Sequence, residues 1–160
     1  MAIKIVTDST SYISDEYIKK YDIKLVSLNV IINGVSSREI DIENEVFYEE
    51  IKNSKEIPKS SQPIPKEMLN TFREIVEDGD SIVGIFLSSK MSGTYSNANM
   101  IKDMILEDYP DAEIHILDSK TNCMQMGFAV IEAARTASEG KSINEVINAA
   151  NHVINNSRFL

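Results

Sequence analysis

Three apolar runs, each passing directly into a hydroxyl-rich turn and then into a helical pattern, constrain this chain more than any other feature. Ile3-Lys4-Ile5-Val6 leads into Thr7-Asp8-Ser9-Thr10-Ser11, and residues 82–87 lead into Ser88-Ser89-Lys90-Met91-Ser92-Gly93-Thr94. Ile114-His115-Ile116-Leu117 leads into Asp118-Ser119-Lys120-Thr121-Asn122. Strands alternating with helical patterns predict an α/β fold, a mostly parallel sheet with helices on both faces. In such a sheet the strand-to-helix turns share the edge at the carboxyl ends of the strands, where ligands bind. That edge then gathers hydroxyl and backbone N–H donors with few fixed positive charges. The combination suits a small anionic or carboxylate group better than a polyphosphate.

Between these units the pattern is mixed. Ser14 is placed to cap a short helix with Asp15 and Glu16 in its first turn, where the helix dipole favours acid. The β-branched run over residues 25–32 predicts one long strand. Asn33-Gly34 signals a turn, with a return through Ile40 as an edge strand. Phe47, Tyr48 and Ile51 have helical spacing. Residues 57–65 hold three of the four prolines and predict a constrained loop around Ser60-Ser61-Gln62-Pro63. Pro65 suits the first position of a helix whose stripe is Met68, Leu69, Phe72, Ile75 and Val76. A strand over 81–87, a helix after Ser92, an alanine-rich helix over 124–138 and a last helix opened by the capping box Ser142-Ile143-Asn144-Glu145 complete the order.

The strongest local signal for chemistry lies between Ser88 and Thr94. A turn entering a helix exposes unpaired N–H groups, and the helix dipole adds partial positive charge there. Gly93 lets the backbone approach a ligand and tolerates positive φ, while Ser92 and Thr94 add hydroxyls. The segment lacks the G-x-x-x-x-G-K-[ST] spacing of a P-loop and is not a dinucleotide G-x-G-x-x-G loop. The plain alternative is capping, since serine and threonine precede helices generally. Three such turns together with the Ser60–Pro63 block favour binding. Asp8 beside a bound carboxylate would repel it, so it is read as orienting Ser9, Thr10 or turn amides, or as a simple cap. Asp118 with Ser119 reads the same way.

In this order, Val6-Thr7-Asp8-Ser9-Thr10-Ser11, Ser60-Ser61-Gln62-Pro63, Ser88-Ser89-Lys90-Met91-Ser92-Gly93-Thr94-Tyr95 and Asp118-Ser119-Lys120 resemble the DegV family of bacterial fatty-acid-binding proteins. The resemblance spans nearly the whole chain. It implies a Rossmann-like N-terminal domain over residues 1–155, with 156–160 opening a second domain. It implies a long-chain fatty acid as ligand, no cofactor and no metal. The chain would be an acyl-carrying subunit that presents the acid to a separate fatty acid kinase. The fatty-acid carboxylate would be held by Ser61 and by Ser92 with Gly93 and Thr94. Asp8, Ser9, Ser60, Gln62 and Ser119 would support them. Ser61 stands where the family commonly has threonine, keeping the hydroxyl and losing a methyl.

The apolar part of such a ligand should dominate affinity. At about 0.8 kcal/mol per methylene, a long acyl chain gains on the order of 10 kcal/mol, and the head group mainly sets orientation. Five of the seven methionines, Met91, Met100, Met104, Met124 and Met126, fall near two of the hydroxyl-rich turns. They read either as core filling or as the lining of an acyl tunnel. Catalytic signals are thin: neither His115 nor His152 sits in a turn, and there is no G-x-S-x-G elbow. No cluster has metal-ligand spacing, and the single Cys123 reads as a small buried hydrophobe. The remaining alternatives are an enzyme acting on a small phosphorylated or carboxylated substrate through Asp8, and a domain that only forms one wall of a site.

Charge narrows the partners. With 25 acidic and 16 basic residues the net charge is −9. This disfavours nucleic acid, which needs lysine and arginine to displace counterions, and adsorption to acidic membranes. No apolar run approaches the ~20 residues of a membrane span, and no signal-peptide pattern opens the sequence. One cysteine excludes an internal disulfide framework. A cytoplasmic location without stable membrane insertion is expected.

Overall fold

The computed structural model describes residues 1–54 and 56–158. Strand β1 (Ile3–Asp8) ends in a 3-10 turn over Ser9–Ser11, followed by α1 (Asp15–Tyr21), β2 (Lys24–Val26), β3 (Asn29–Ile32) and β4 (Val35–Arg38). A second 3-10 turn over Glu39–Asp41 precedes α2 (Asn44–Asn53), β5 (Lys59–Ser61) and α3 (Pro65–Glu77). Then come β6 (Ser81–Phe86), α4 (Thr94–Asp108), β7 (Ile114–Asp118), α5 (Cys123–Ser138) and α6 (Ile143–Asn156).

The main sheet has four strands in the order β2-β1-β6-β7, all parallel. Alternation along its strands feeds two cores. Ile5, Val83 and Ile85 pack with Met126, Val130, Ala133 and Val146 of α5 and α6. Val6, Ile82 and Phe86 pack with Met68, Phe72, Ala98 and Ile101 of α3 and α4. Helices therefore cover both faces, as predicted, and all of β6 is buried. A sheet covered on both sides needs such near-continuous apolar strands. The capping box at α6 forms, with Ser142 N–H donating to Glu145 Oε2 at 2.9 Å and Glu145 N–H to Ser142 Oγ at 3.4 Å. No helix among the described residues is long and apolar enough to cross a membrane.

Two expectations are corrected. Residues 25–32 do not form one strand: β2 belongs to the parallel sheet and β3 to a separate antiparallel sheet of order β4-β3-β5. The break at Ser27-Leu28 is held by polar partners outside any ladder. Leu28 N–H donates to Ser9 Oγ at 3.0 Å, and Glu39 N–H donates to Leu28 O at 2.8 Å. With those backbone groups engaged elsewhere, the strand cannot continue. The second correction concerns Ser60 and Ser61, expected in a loop. They lie in β5, where Ser61 pairs with Asn29 and Ser60 with Val30. Pro58 and Pro63 flank this strand and, having no N–H to donate, limit it to three residues.

The β3–β4 hairpin turns at Asn33 and Gly34, with φ of 51° and 81°, the positive pair that a two-residue type I′ turn requires. It folds back to carry Glu39 against the end of β1. The last helix ends at Asn156. Of the segment expected to open a further domain, Phe159 and Leu160 lie outside the described residues.

Candidate functional site

The carboxyl edge of the parallel sheet is braced by two buried or half-buried aspartates. Asp8, fully buried, accepts from Thr10 N–H at 3.0 Å and Thr10 Oγ1 at 2.5 Å on one oxygen, and from Leu87 N–H at 2.9 Å on the other. It caps the first 3-10 turn and ties the end of β1 to the end of β6. Burial pushes its pKa up, against the opposing pull of those hydrogen bonds. Asp118 ties the end of β6 to the end of β7, accepting from Ser89 N–H at 3.2 Å, Ser89 Oγ at 2.6 Å and Lys120 N–H at 2.9 Å.

Many hydroxyls at this edge are spent within the fold. Ser9 Oγ donates to Glu39 Oε2 at 2.5 Å while accepting from Leu28 N–H. Ser119, fully buried, donates to Thr121 O at 3.0 Å and accepts from Thr121 N–H at 3.3 Å. Ser92 Oγ lies 2.9 Å from Thr94 Oγ1 and accepts from Thr94 N–H at 3.3 Å. If Thr94, itself fully buried, donates its hydroxyl proton to Ser92, the Ser92 proton is left for a ligand.

What remains open faces a groove of about 630 Å³ between β5 and the start of α4. Ser60, Ser61 and Gln62 form one wall; Met91, Ser92 and Gly93 form the other. Leu28, Val30 and Leu87 supply apolar lining. The groove thus brings Ser61, Ser92 and Gly93 together with Ser60 and Gln62. Thr94 lies beneath Ser92, and Asp8, Ser9 and Ser119 do not line it. The Thr94 amide, expected to face a ligand, is turned to Ser92 instead. Gly93 has φ of −76° and ψ of 1°, so its positive-φ tolerance is unused.

Two lining residues with ionisable side chains, Tyr12 and Glu39, have no part in the sequence reading, and Thr10, read there only as a group that Asp8 orients, lines the groove as well. Tyr12 OH donates to Glu39 Oε1 at 2.7 Å, and this hydrogen bond to a carboxylate pushes the Tyr12 pKa up to about 12. With Ser9 on its other oxygen, both ends of the Glu39 carboxylate are engaged. Only the hairpin places Glu39 here, and no local pattern announces it. A further cleft of about 290 Å³, lined by Ile42, Phe47 and Tyr48, shares Tyr12, Val30 and Glu39 with the groove. It extends the apolar surface beneath α2. At the opposite edge, a cleft of about 350 Å³ is lined by Asp80, Asp108, Asp111 and Glu113, whose carboxylates would repel an anion.

The methionines separate. Met126 is core; Met91 lines the groove and is half exposed; Met100, Met104 and Met124 are exposed, so core filling holds for one of the five. Cys123, expected to be buried, is exposed at the first position of α5.

A family model described as an uncharacterised protein of the DegV family matches residues 2–160. A DegV domain-containing protein of Clostridium acetobutylicum is 53% identical over 160 residues, covering all of this chain and 56% of the relative. One from Clostridium perfringens is 46% identical with the same coverage. The chain therefore spans a little over half the length of these curated relatives. Among solved structures, a stearic-acid-binding protein from Eubacterium ventriosum superposes with a TM-score of 0.85 at 32% identity, covering 93% of this chain and 52% of its own. DegV of Bacillus subtilis, described as a fatty acid binding protein, gives a TM-score of 0.85 at 31% identity, covering 97% of this chain and 54% of its own.

Proposed function

The chain belongs to the DegV family, and we propose that it holds the carboxylate of a long-chain fatty acid in the groove between β5 and α4. One observation carries this reading: two segments far apart in sequence, Ser60–Gln62 and Met91–Gly93, meet across one groove. Among the described residues the side chains of Ser60, Ser61 and Gln62 make no hydrogen bond within the protein; the Asn29 side chain reaches only the Gln62 backbone carbonyl. Ser61 and Ser92 hydroxyls and the Gly93 amide then receive the two carboxylate oxygens, with the helix dipole adding to the attraction. Leu28, Val30 and Leu87 begin the path of the tail.

Residues 1–155 act, in this reading, as the head-group domain of an acyl carrier. Additional chain of the length found in the relatives would cover the tail. A separate fatty acid kinase would phosphorylate the presented acid in the cytoplasm, and the carrier itself would need no cofactor. Against the enzymatic alternative stand the hydrogen bonds of Asp8. Both its oxygens are committed and it is fully buried, so attack on a substrate would first have to break the joint between β1 and β6.

Mass spectrometry of an organic extract of the purified protein should find a fatty acid at one equivalent. Ser92→Ala should weaken stearic acid binding by about tenfold, the loss of one hydrogen bond to a charged group of about 1.5 kcal/mol, with the fold unchanged. Affinity equal to the parent protein would remove Ser92 from the site.

A further inference from the structure

A Cβ built on Gly93 would lie 2.4 Å from Gln62 Nε2, 3.0 Å from its Cδ and 3.2 Å from its Oε1. The side-chain amide of Gln62 thus occupies the space that any other residue at position 93 would fill. The backbone of Gly93, at φ of −76°, is one that any residue adopts. Room, and not conformational freedom, is what position 93 supplies.

The two partners are anchored separately. The Gln62 carbonyl accepts from Asn29 Nδ2 at 3.5 Å, Ser61 pairs with Asn29 in the ladder, and Pro63 is buried next to it. The first turn of α4 is pinned by the fully buried Thr94 and Ala98. The Gln62 side chain bridges the two walls of the groove, from the antiparallel sheet to the helix start.

We propose that Gly93 and Gln62 act as one unit, in which the bare α-carbon of Gly93 seats the Gln62 amide over the start of α4 and the seated amide positions the ligand's head group. This rests on the carboxylate-binding reading. It makes Gln62 a positioning residue, and the effect of the missing side chain at Gly93 runs through Gln62. Alanine at 93 should then act on binding by dislodging Gln62, since the helix start itself accepts it.

A double-mutant cycle tests this with stearic acid as the probe and the full chain as the protein. Gln62→Ala and Gly93→Ala should each weaken binding by about five- to tenfold, and the double variant should bind no more weakly than Gln62→Ala alone. In the ligand-free protein, the side-chain NH₂ resonances of Gln62 should shift on Gly93→Ala and stay in place on Ser92→Ala. Multiplying losses in the double variant, or Gln62 resonances unmoved by Gly93→Ala, would overturn the proposal. A parent protein that binds no stearic acid would sink the carboxylate reading and the positioning role with it, while the NH₂ resonances would still decide whether Gly93 seats Gln62.

Discussion

All six residues of β6 are buried, whereas every residue of β5 and the first three of β4 are exposed. The contrast extends to the helices. Met68, Phe72 and Ile75 of α3 are buried, while α2 has no buried residue. The parallel half is organised by apolar burial on two faces. The antiparallel half is a thin layer placed by a hairpin, a short ladder and a few hydrogen bonds. The groove lies where the two meet, with Ser92 and Gly93 on the buried scaffold and Ser60, Ser61 and Gln62 on the thin layer. Stability is therefore decided mainly in the parallel half, and ligand geometry at the joint between the two. One connection between them runs through Ser9, which reaches Leu28 and Glu39 at once.

The contrast would break first under core substitution. Phe72→Ala, in a fully buried site, should cost about 3–5 kcal/mol in urea unfolding. Tyr48→Ala on α2, where the side chain is exposed, should stay within about 0.5 kcal/mol. A comparable loss at Tyr48 would mean that the thin layer is as tightly packed as the scaffold. Next in size is Ser9→Ala, which leaves the Leu28 N–H buried without its acceptor, at about 1–3 kcal/mol. Hydrogen exchange should then quicken in β3 and β5 more than in β6. Equal quickening in both sheets would show that Ser9 is not such a connection.

The smallest effect is electrostatic. Burial raises the folded pKa of Asp8 above that of a solvated aspartate, so between the unfolded and folded values the native state binds the proton more strongly. Asp8 therefore favours folding below that window, and the contribution fades as pH rises through it. Asp8→Asn should flatten the melting temperature against pH over this acidic range. An unchanged slope would assign the pH response to other carboxylates.

Legibility followed burial. The parallel strands could be read because a strand covered on both faces must be apolar almost throughout, as residues 82–87 are. The Asn33-Gly34 turn and the Ser142–Glu145 capping box were equally visible, since each encodes a local backbone geometry. β5 was hidden: three exposed polar residues between prolines carry no period, and only pairing with β3 makes them a strand. The break at Ser27-Leu28 was hidden too, because its cause sits at Ser9 and Glu39. Within the groove, Ser61 and Ser92 were reached through family resemblance joined to turn chemistry. Tyr12 and Glu39 have no local signature.

By itself the sequence determined the layered α/β body and the edge at which polar groups collect, because periodic burial and strand-to-helix turns are short-range patterns. Only the tertiary structure decided which of those groups are free. The hydroxyls of Ser9 and Ser119 are consumed internally, Glu39 enters from a hairpin, and Gln62 settles into the space left by Gly93. Hydrogen-bond partners and excluded volume depend on residues brought together across the chain, and no local pattern records them.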